Sequence, residues 1–182
     1  MLENFRFFRS RFPSCLLVFA AAVSMIKAQD ETLADIKYKE DYDRIQAITK
    51  ISDIVKRADK MVAFYGERRD VDPKLMDYID NLFARDLETL TKQTNYNAVL
   101  GISERILKFR PRFGEVYLFY GVALKNSKKV EDAMNAFARG ASIPNALSTK
   151  SKQQLDIAYR AVNGGSLVGQ DKLIKNAMKD LK

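Results

Sequence analysis

Two pairs of carboxylates in the chain have the residue types and the spacing that acid–base catalysis or an oxygen-ligand metal site requires. They are Glu31 with Asp35 and Asp77 with Asp80. Spacings of three and four residues place both members of a pair on one face of a helix, as a hydrolase or a calcium site would need. The neighbouring sequence gives no sign of a pocket around either pair, so we do not expect them to form a catalytic site.

The composition removes most of the remaining catalytic chemistry. The chain has 182 residues with no histidine, no tryptophan and one cysteine. Without an imidazole it cannot form a Ser-His-Asp or Cys-His catalytic site or a histidine metal site, and a single cysteine forms neither an intrachain disulfide nor a thiolate zinc cluster. The glycine-rich segment 163–166 lacks the Gly-Lys-Ser/Thr ending of a phosphate-binding loop. We therefore predict a protein that is not an enzyme and that holds no metal ion and no cofactor.

The segment 1–28 is typical of a secretory signal peptide. Residues 1–12 carry three arginines and one acid, residues 15–26 carry no charge, and the chain then becomes polar. An uncharged run of 12 residues is too short for the roughly 20 of a membrane-spanning helix but suits the apolar core of a signal peptide, which has about 7–15. We predict cleavage after Ala28, which places residues 29–182 in the periplasm or outside the cell. The alternative is an uncleaved anchor that holds the chain on a membrane, facing the envelope space.

The basic charge of the chain is weak evidence for a nucleic-acid partner. The formal net charge is +8, from 31 basic and 23 acidic residues. Removal of residues 1–28 leaves 27 basic and 22 acidic residues, a net charge of +5. The basic clusters at 105–112 and 125–129 lie near predicted helix ends, where the helix dipole favours cations, and they are not interleaved with several exposed aromatic residues. We therefore predict no nucleic-acid partner.

The sequence from residue 29 onward predicts helices throughout. Apolar residues recur at intervals of three and four, and period-two alternation never extends beyond a few residues. Three prolines and four residues of capping type separate the periodic segments: Pro73, Pro111 and Pro144, and Asp72, Asn95, Ser127 and Ser148. The short connections predict antiparallel neighbours. We predict about eight helices, at residues 34–51, 53–67, 73–93, 95–109, 113–126, 128–141, 148–163 and 167–181.

Residues 113–145 resemble a tetratricopeptide repeat, a helix-turn-helix unit of about 34 residues. The large and small residues of the motif fall at Tyr117, Tyr120, Gly121, Leu124, Ala133, Phe137, Gly140 and Pro144. Gly121 and Ala133 are small enough to let the two helices approach closely, and the larger residues fill the space around that contact. Val99 precedes Ala133 by one repeat length, so the period recurs once in the chain. The first helix of that preceding unit departs from the motif at Asp86 and Leu87, where a Leu-Gly pair is expected.

The resemblance implies an all-α fold in which antiparallel helix pairs stack as a short solenoid. In this family the first helix of each pair lines a groove that binds extended peptides or helices of other proteins. Carried to this chain, the groove residues are Asn81, Ala84, Arg85, Glu88, Lys92, Glu115, Leu118, Val122, Lys125 and Asn126. Leu118 and Val122 stand where carboxylate-binding members of the family have polar residues, so we expect a mixed apolar and charged groove for a segment of another protein. The alternative is that both side chains are buried beneath a neighbouring helix or the chain's own N-terminal segment.

These features predict a signal peptide at residues 1–28 and one helical-repeat domain at residues 29–182. The predicted function is that of a non-catalytic adaptor or scaffold of the cell envelope, with another protein as its partner. The alternative is an accessory structural subunit of a larger envelope or membrane complex, which would use its outer faces instead of its groove.

Overall fold

The computed structural model of the protein describes residues 34–68 and 70–181, and the predicted leader at residues 1–28 lies outside this part. The described residues form eight α-helices, a short 3-10 helix and no strand, so the predicted all-α fold is confirmed. The helices are α1 at 34–49, α2 at Ile54–Glu67, α3 at Pro73–Lys92, α4 at Tyr96–Phe109, α5 at Gly114–Asn126, α6 at Val130–Ser142, α7 at Ser148–Val162, α8 at Gln170–Ala177 and the 3-10 helix at Lys179–Leu181. None of the described helices is both long enough and apolar enough to cross a membrane.

The chain divides into two compact units, residues 1–43 and residues 44–182. In the first unit, the described residues form the beginning of α1, where the rings of Tyr38 and Tyr42 stack with their centroids 6.4 Å apart. The second unit contains the rest of α1 and all the helices from α2 to α8. All the surfaces described below belong to this second unit.

Two of the predicted helix starts are stabilised by the expected caps. The Asp72 side chain accepts a hydrogen bond of 2.8 Å from the Lys74 amide, and Pro73 is the first residue of α3. The Asn95 side chain accepts one of 3.4 Å from the Ala98 amide at the start of α4. Each cap satisfies one of the backbone N–H groups that a helix leaves unpaired at its N-terminus.

The predicted caps at Ser127 and Ser148 are wrong. Ser127 is the C-cap of α5, and its amide donates to the carbonyl of Ala123, because the connection to α6 is a tight turn that extends the α5 hydrogen-bond ladder. Ser148 is already the first residue of α7. In the connection between α6 and α7, the Asn145 side chain stabilises the turn, because its Oδ1 accepts a hydrogen bond of 2.7 Å from the Leu147 amide.

The last helix is shorter than the predicted segment 167–181. It begins at Gln170, after Gly169 in the left-handed region with φ of +89°, and it ends at Ala177 before the 3-10 helix. A left-handed residue interrupts a right-handed helix, and glycine adopts this conformation without a steric penalty. The connection from α7 therefore occupies residues 163–169, which the apolar periodicity divides between two helices.

The helix boundaries recur at the repeat length, which is about 34 residues in tetratricopeptide repeats. One repeat length separates the ends of α3 and α5, at Lys92 and Asn126, and also the starts of α4 and α6, at Tyr96 and Val130. The starts of α5 and α7, at Gly114 and Ser148, are separated by the same length. The period thus extends through five consecutive helices, which is the signature of a helical-repeat fold.

The turns between α3 and α4 and between α5 and α6 have the same backbone geometry. The amide of Asn95 donates to the carbonyl of Leu90, and the amide of Lys129 donates to that of Leu124, both at 3.0 Å. Thr94 and Lys128, again one repeat length apart, adopt positive φ angles of 57° and 63°. This six-to-one hydrogen bond with a left-handed residue is a Schellman-type helix end.

The buried residues repeat as well, but large and small residues exchange places. The equivalent buried pairs are Phe83 and Tyr117, Leu87 and Gly121, Leu90 and Leu124, Val99 and Ala133, Ser103 and Phe137, and Ile106 and Gly140. A Cβ atom on Gly121 would lie only 2.5 Å from Phe137 Cε1, so the glycine makes room for that ring. In the preceding pair the large residue is Leu87 on the first helix and the small one is Ser103 on the second. This exchange explains why the Leu-Gly pair is absent from α3. Close packing limits the combined volume of the two residues but not which of the two helices carries the larger one.

Asp86, the other departure from the motif, forms a buried ion pair with α2. Its carboxylate accepts hydrogen bonds of 2.8 and 2.5 Å from Nε and Nη2 of Arg57, and Arg57 Nη1 donates to the carbonyl of Ile51 at 2.6 Å. The Asp86 side chain is only 5% exposed. The hydrogen bond to Asp86 raises the pKa of Arg57 further above its ordinary value. The pair therefore fixes α2 against α3 through charged, fully engaged side chains.

The helix α5 lies at the centre of the packing and contributes buried residues to two core clusters. Val116, Phe119 and Ala123 belong to a core cluster built mainly from α2, α3 and α4. Leu118 and Leu124 belong to a second cluster with α6, α7 and α8. The two clusters are thus joined through one shared helix.

Alternate helices of the second unit pack in two rows. We call α3, α5 and α7 the odd row, because α3 packs on α5 and α5 on α7. We call α2, α4, α6 and α8 the even row, in which α2 packs on α4 and α6 on α8. The two rows hold the first and second helices of the successive pairs, so each row presents its own surface.

Candidate functional site

The predicted groove residues lie on the odd row, and most of them are accessible. Asn81, Arg85, Glu88, Lys92, Lys125 and Asn126 are exposed, and Glu115 and Val122 are half-buried. Leu118 is only 7% exposed and belongs to the core cluster that includes residues of α6 and α7. Leu118 is therefore a packing residue, as in the alternative interpretation of its position, and it offers no open surface to a partner.

A cleft of about 390 Å³ lies between the first half of α3 and the start of α5, and we call it the α3–α5 cleft. It is lined by the predicted residues Asn81, Ala84 and Glu115 and also by Asp77, Asp80, Arg110, Arg112, Phe113, Gly114 and Pro144. The expectation that no pocket lies near Asp77 and Asp80 is wrong. The connection between α4 and α5 lies opposite these carboxylates, and local sequence does not report that long-range contact.

The Asp80 carboxylate is held at the cleft wall by Arg110. Arg110 Nη2 lies 2.7 Å from Asp80 Oδ2, and Nη1 donates to the Tyr65 hydroxyl at 2.9 Å. Burial raises the pKa of Asp80 above its ordinary value, and the charge and hydrogen bonds of Arg110 oppose this rise. Burial also raises the pKa of Tyr65. The Asp80–Arg110 pair thus neutralises its own charges and gives this wall of the cleft a fixed shape.

The other charged groups of the cleft remain open to a ligand. Asp77 and Arg112 are exposed, and Arg112 forms no hydrogen bond or ion pair with any residue that the structure describes. Glu115 is half-buried, and its Oε1 accepts a long hydrogen bond of 3.4 Å from the Ala146 amide. The cleft therefore offers both a guanidinium and carboxylates to a bound segment. Within residues 34–68 and 70–181 there is no cluster of His, Cys, Asp or Glu suited to a metal ion.

The other end of the odd row carries separate charged groups. Lys92 Nζ lies 2.8 Å from Glu88 Oε1, one helical turn away. The hydrogen bond from Lys92 and its charge hold the pKa of Glu88 below its usual value, with a smaller contribution from Lys150 of α7. Lys125 is exposed near the C-terminal end of α5. The structure thus places these predicted residues on the row but outside the α3–α5 cleft.

Two predicted asparagines are engaged with their own helices. Asn81 Nδ2 donates to the carbonyl of Asp77, and Asn126 Nδ2 donates to the carbonyl of Val122, both at 2.8 Å. Each amide oxygen remains an acceptor for a ligand. The asparagines therefore present fixed acceptors and not freely rotating side chains.

Sequence reasoning finds part of this site and misses the rest. Asn81 and Glu115 occupy equivalent positions one repeat length apart, so the repeat pattern is sufficient to find both. The sequence indicates only a solvated helix end at Arg110 and Arg112, and the fold brings both to the cleft that Asp77 and Asp80 also line. The helical spacing of the two aspartates is the one local signal for this half of the cleft.

No protein-family model, no curated protein and no solved structure matches the chain. The helical repeat is therefore defined by the internal period of the chain, in its boundaries, its turns and its buried positions.

Proposed function

We propose that the protein is a non-catalytic adaptor of the cell envelope, related in design to tetratricopeptide repeats, that binds a segment of another protein along the odd row. The observation that carries this proposal is the meeting of Asn81 and Glu115 at one cleft. These residues hold equivalent positions on two first helices of successive pairs. A peptide lying across the row would therefore contact equivalent positions of successive repeats.

The mechanism is capture by a preformed surface. The α3–α5 cleft supplies Arg112 for an acidic group and Asp77 and Glu115 for basic or N–H groups of the bound segment. Arg85, Lys92 and Lys125 continue the polar surface along α3 and α5. Because the first helices are fixed by buried cores on both sides of α5, little ordering is needed on binding, and this reduces the entropic cost of association.

Export to the envelope is part of the same proposal and depends on the leader at residues 1–28. The alternative function is an accessory structural subunit of a larger envelope or membrane complex, with contacts on other faces. Both functions require another protein as partner, and they differ in which helices touch it.

Site-specific photo-crosslinking in cells of the native source separates the two. A photoreactive residue at Arg85 or Lys125 tests the odd row, and matched positions at Lys60 of α2 and Lys172 of α8 test exposed lysines of the even row. We expect an adduct of one discrete mass from Arg85 and Lys125 and none from the two control positions. Adducts from Lys60 or Lys172 alone would favour the structural subunit, and the adaptor proposal would fail.

A further inference from the structure

The connection between α7 and α8 begins with an asparagine followed by a glycine, Asn163 and Gly164. Asn163 is the C-cap of α7, and both residues are exposed. Every other asparagine of the chain is followed by a residue with a side chain. Because glycine has no Cβ atom, it leaves its own amide nitrogen sterically open. A side-chain amide and an accessible main-chain nitrogen are thus adjacent at this helix end.

The turn after α7 is of the same Schellman type as the turns after α3 and α5. The amide of Gly165 donates to the carbonyl of Arg160 at 2.9 Å, which is the six-to-one hydrogen bond of such a turn. Gly164 is the left-handed residue of the turn, with φ of +59°. Nothing lies within 4 Å of a Cβ atom added to Gly164, so the space around this glycine is open.

The Gly164 amide lacks the hydrogen bond that its counterparts in the two earlier turns form. Thr94 donates its amide to the carbonyl of Thr91 at 3.0 Å, and Lys128 donates to the carbonyl of Lys125 at 3.1 Å. In the part of the chain that the structure describes, no group accepts a hydrogen bond from the amide of Gly164. No contact within this part therefore restrains the Gly164 nitrogen, which is left to hydrogen-bond with water.

Asn126, at the end of α5, is a matched asparagine in the same chain. Each of the two side-chain amides donates to the carbonyl four residues earlier, at 2.8 Å for Asn126 and at 3.0 Å for Asn163. The difference lies in the following residue. Ser127 has a side chain, and its amide donates to two carbonyls of α5 at 3.0 Å. The chain thus offers one asparagine with an open neighbouring nitrogen and one with an engaged neighbour.

We propose that Asn163 is a site of self-modification, at which the chain deamidates through a succinimide. Hydroxide removes the amide proton of Gly164, and the nitrogen attacks Asn163 Cγ. The new N–Cγ bond closes the ring, the Cγ–Nδ2 bond breaks, and ammonia leaves with a proton from water, which regenerates hydroxide. Water then opens the ring at one of its two carbonyls, and the product is aspartate or isoaspartate. This inference goes beyond the adaptor proposal, because it holds whichever row binds a partner.

The reaction changes both the charge and the backbone at the end of α7. A carboxylate replaces a neutral amide at a helix C-terminus, where the helix dipole disfavours negative charge. In the isoaspartate product the main chain passes through the former side chain and is one carbon longer. This extra carbon displaces Gly165 from the carbonyl of Arg160, which closes the turn in the native chain. The connection at residues 163–169 should therefore open more readily after the reaction.

Peptide-mapping mass spectrometry of the purified full chain, incubated at neutral and mildly alkaline pH, tests the proposal. Isoaspartate at residue 163 is the signature of the succinimide, because direct hydrolysis of the amide yields only aspartate. We expect isoaspartate to accumulate faster at Asn163 than at Asn126, and the rate to rise with pH. If Asn163 forms no isoaspartate in the folded chain under conditions in which the urea-unfolded chain forms it, the proposal is overturned.

The substitution Ser127→Gly separates the effect of the turn from the effect of the sequence. It places a glycine after Asn126, while the carbonyls that accept from the amide of residue 127 remain in place. In the folded variant Asn163 should react about two- to tenfold faster than Asn126, which is the protection that one backbone hydrogen bond provides. In urea, where both turns are lost, the two rates should be equal. Equal rates in the folded variant would overturn the role of the open Gly164 nitrogen.

Hydrogen exchange tests the consequence for the connection. Exchange at residues 163–169 should become faster as the native chain is incubated. Asn163→Gln is the control, because the longer side chain closes the corresponding ring far more slowly, and its exchange should stay constant over the same incubation. An equal rise in both chains would show that the loosening does not come from Asn163.

Discussion

Single residues decide how closely neighbouring helices approach. Gly121 lies against the ring of Phe137, and Gly140 lies against Ser151 of α7, whose Oγ would be 2.7 Å from an added Cβ atom. In the preceding pair the equivalent positions hold Leu87 and Ser103, and both residues are buried. The large residue thus lies on the second helix in one pair and on the first helix in the other. The effect of a substitution on one helix therefore depends on the residue at the matching position of the other helix.

The first prediction concerns Gly121→Ala. Alanine is the better helix former by about 1 kcal/mol, but the added methyl group would overlap Phe137, and overpacking of this kind costs about 1–3 kcal/mol. We expect a net loss in the free energy of unfolding, measured by urea denaturation. Gly101→Ala is the control, since no atom lies within 4 Å of its added Cβ, and it should be stabilising. Equal stabilisation by both substitutions would contradict the packing account.

A second prediction at the residue scale concerns Asp156 and pH. Burial raises its pKa, but hydrogen bonds from Lys152 and Gln170 outweigh this effect and hold the pKa below its ordinary value. A depressed carboxylate pKa contributes stability above the unfolded pKa of about 3.9, and this stability is lost as the pH falls through the folded pKa.

Asp156→Asn should therefore be less stable than the native chain at neutral pH, by up to about 1 kcal/mol since the group is partly exposed. The difference should disappear as the pH falls through the folded pKa of Asp156, because the native carboxyl is then protonated as well. Unfolding free energies measured from neutral to acidic pH check this. A difference that is constant over the whole range would refute the assignment.

At the scale of the helices, the sequence predicts well what local chemistry determines. Helix positions follow from apolar periodicity, and the starts of α3 and α4 follow from Asp72 and Asn95. The turn at Ser127 is missed because a backbone hydrogen bond closes it without a side-chain cap. The burial of Leu118 and the α3–α5 cleft depend on contacts between helices distant in sequence, which periodicity does not report.

The turns between paired helices give a prediction at this scale. Thr94 adopts a left-handed φ of 57°, which a β-branched residue reaches only with strain. Thr94→Gly should relieve about 1–2 kcal/mol of strain and lose about 0.4–1 kcal/mol through the greater freedom of the unfolded chain. We expect a small net gain in stability by thermal unfolding.

The corresponding turn after α7 provides the reverse control. Gly164 has φ of +59°, and nothing lies within 4 Å of an added Cβ. Gly164→Ala should therefore destabilise the protein only because alanine is strained at a positive φ. If Thr94→Gly destabilises the protein or Gly164→Ala stabilises it, the left-handed residue is not the controlling feature of these turns.

The contact between α2 and α3 gives a further prediction. Arg57→Leu leaves the Asp86 carboxylate buried without its partner, and breaking a buried pair in this way costs about 3–5 kcal/mol. The double substitution Arg57→Leu and Asp86→Leu removes both charges and should cost less than the sum of the single substitutions. Unfolding free energies of the three variants form a double-mutant cycle. Strict additivity would show that the pair does not act as a unit.

At the scale of the whole second unit, α5 joins two core clusters and separates two different surfaces. The odd row carries the α3–α5 cleft and its charged continuation, and the even row carries a depression between α4 and α6 that Tyr117 and Tyr120 of α5 also line. Because both surfaces include residues of α5, each is positioned by the same buried helix. We therefore expect surface substitutions on either row to alter partner binding without changing cooperative unfolding.

The most direct test of the adaptor account is a comparison of charge reversals on the two rows. Arg85→Glu with Lys125→Glu reverses two exposed charges on the odd row, and Lys60→Glu with Lys172→Glu makes the same total charge change on the even row. The measurement is the affinity of each purified variant for the partner identified by crosslinking. The account predicts that the odd-row reversal weakens binding at least tenfold, about 1.4 kcal/mol, and that the even-row reversal leaves binding nearly unchanged. Equal losses in both variants, or a loss confined to Lys60→Glu with Lys172→Glu, would contradict it.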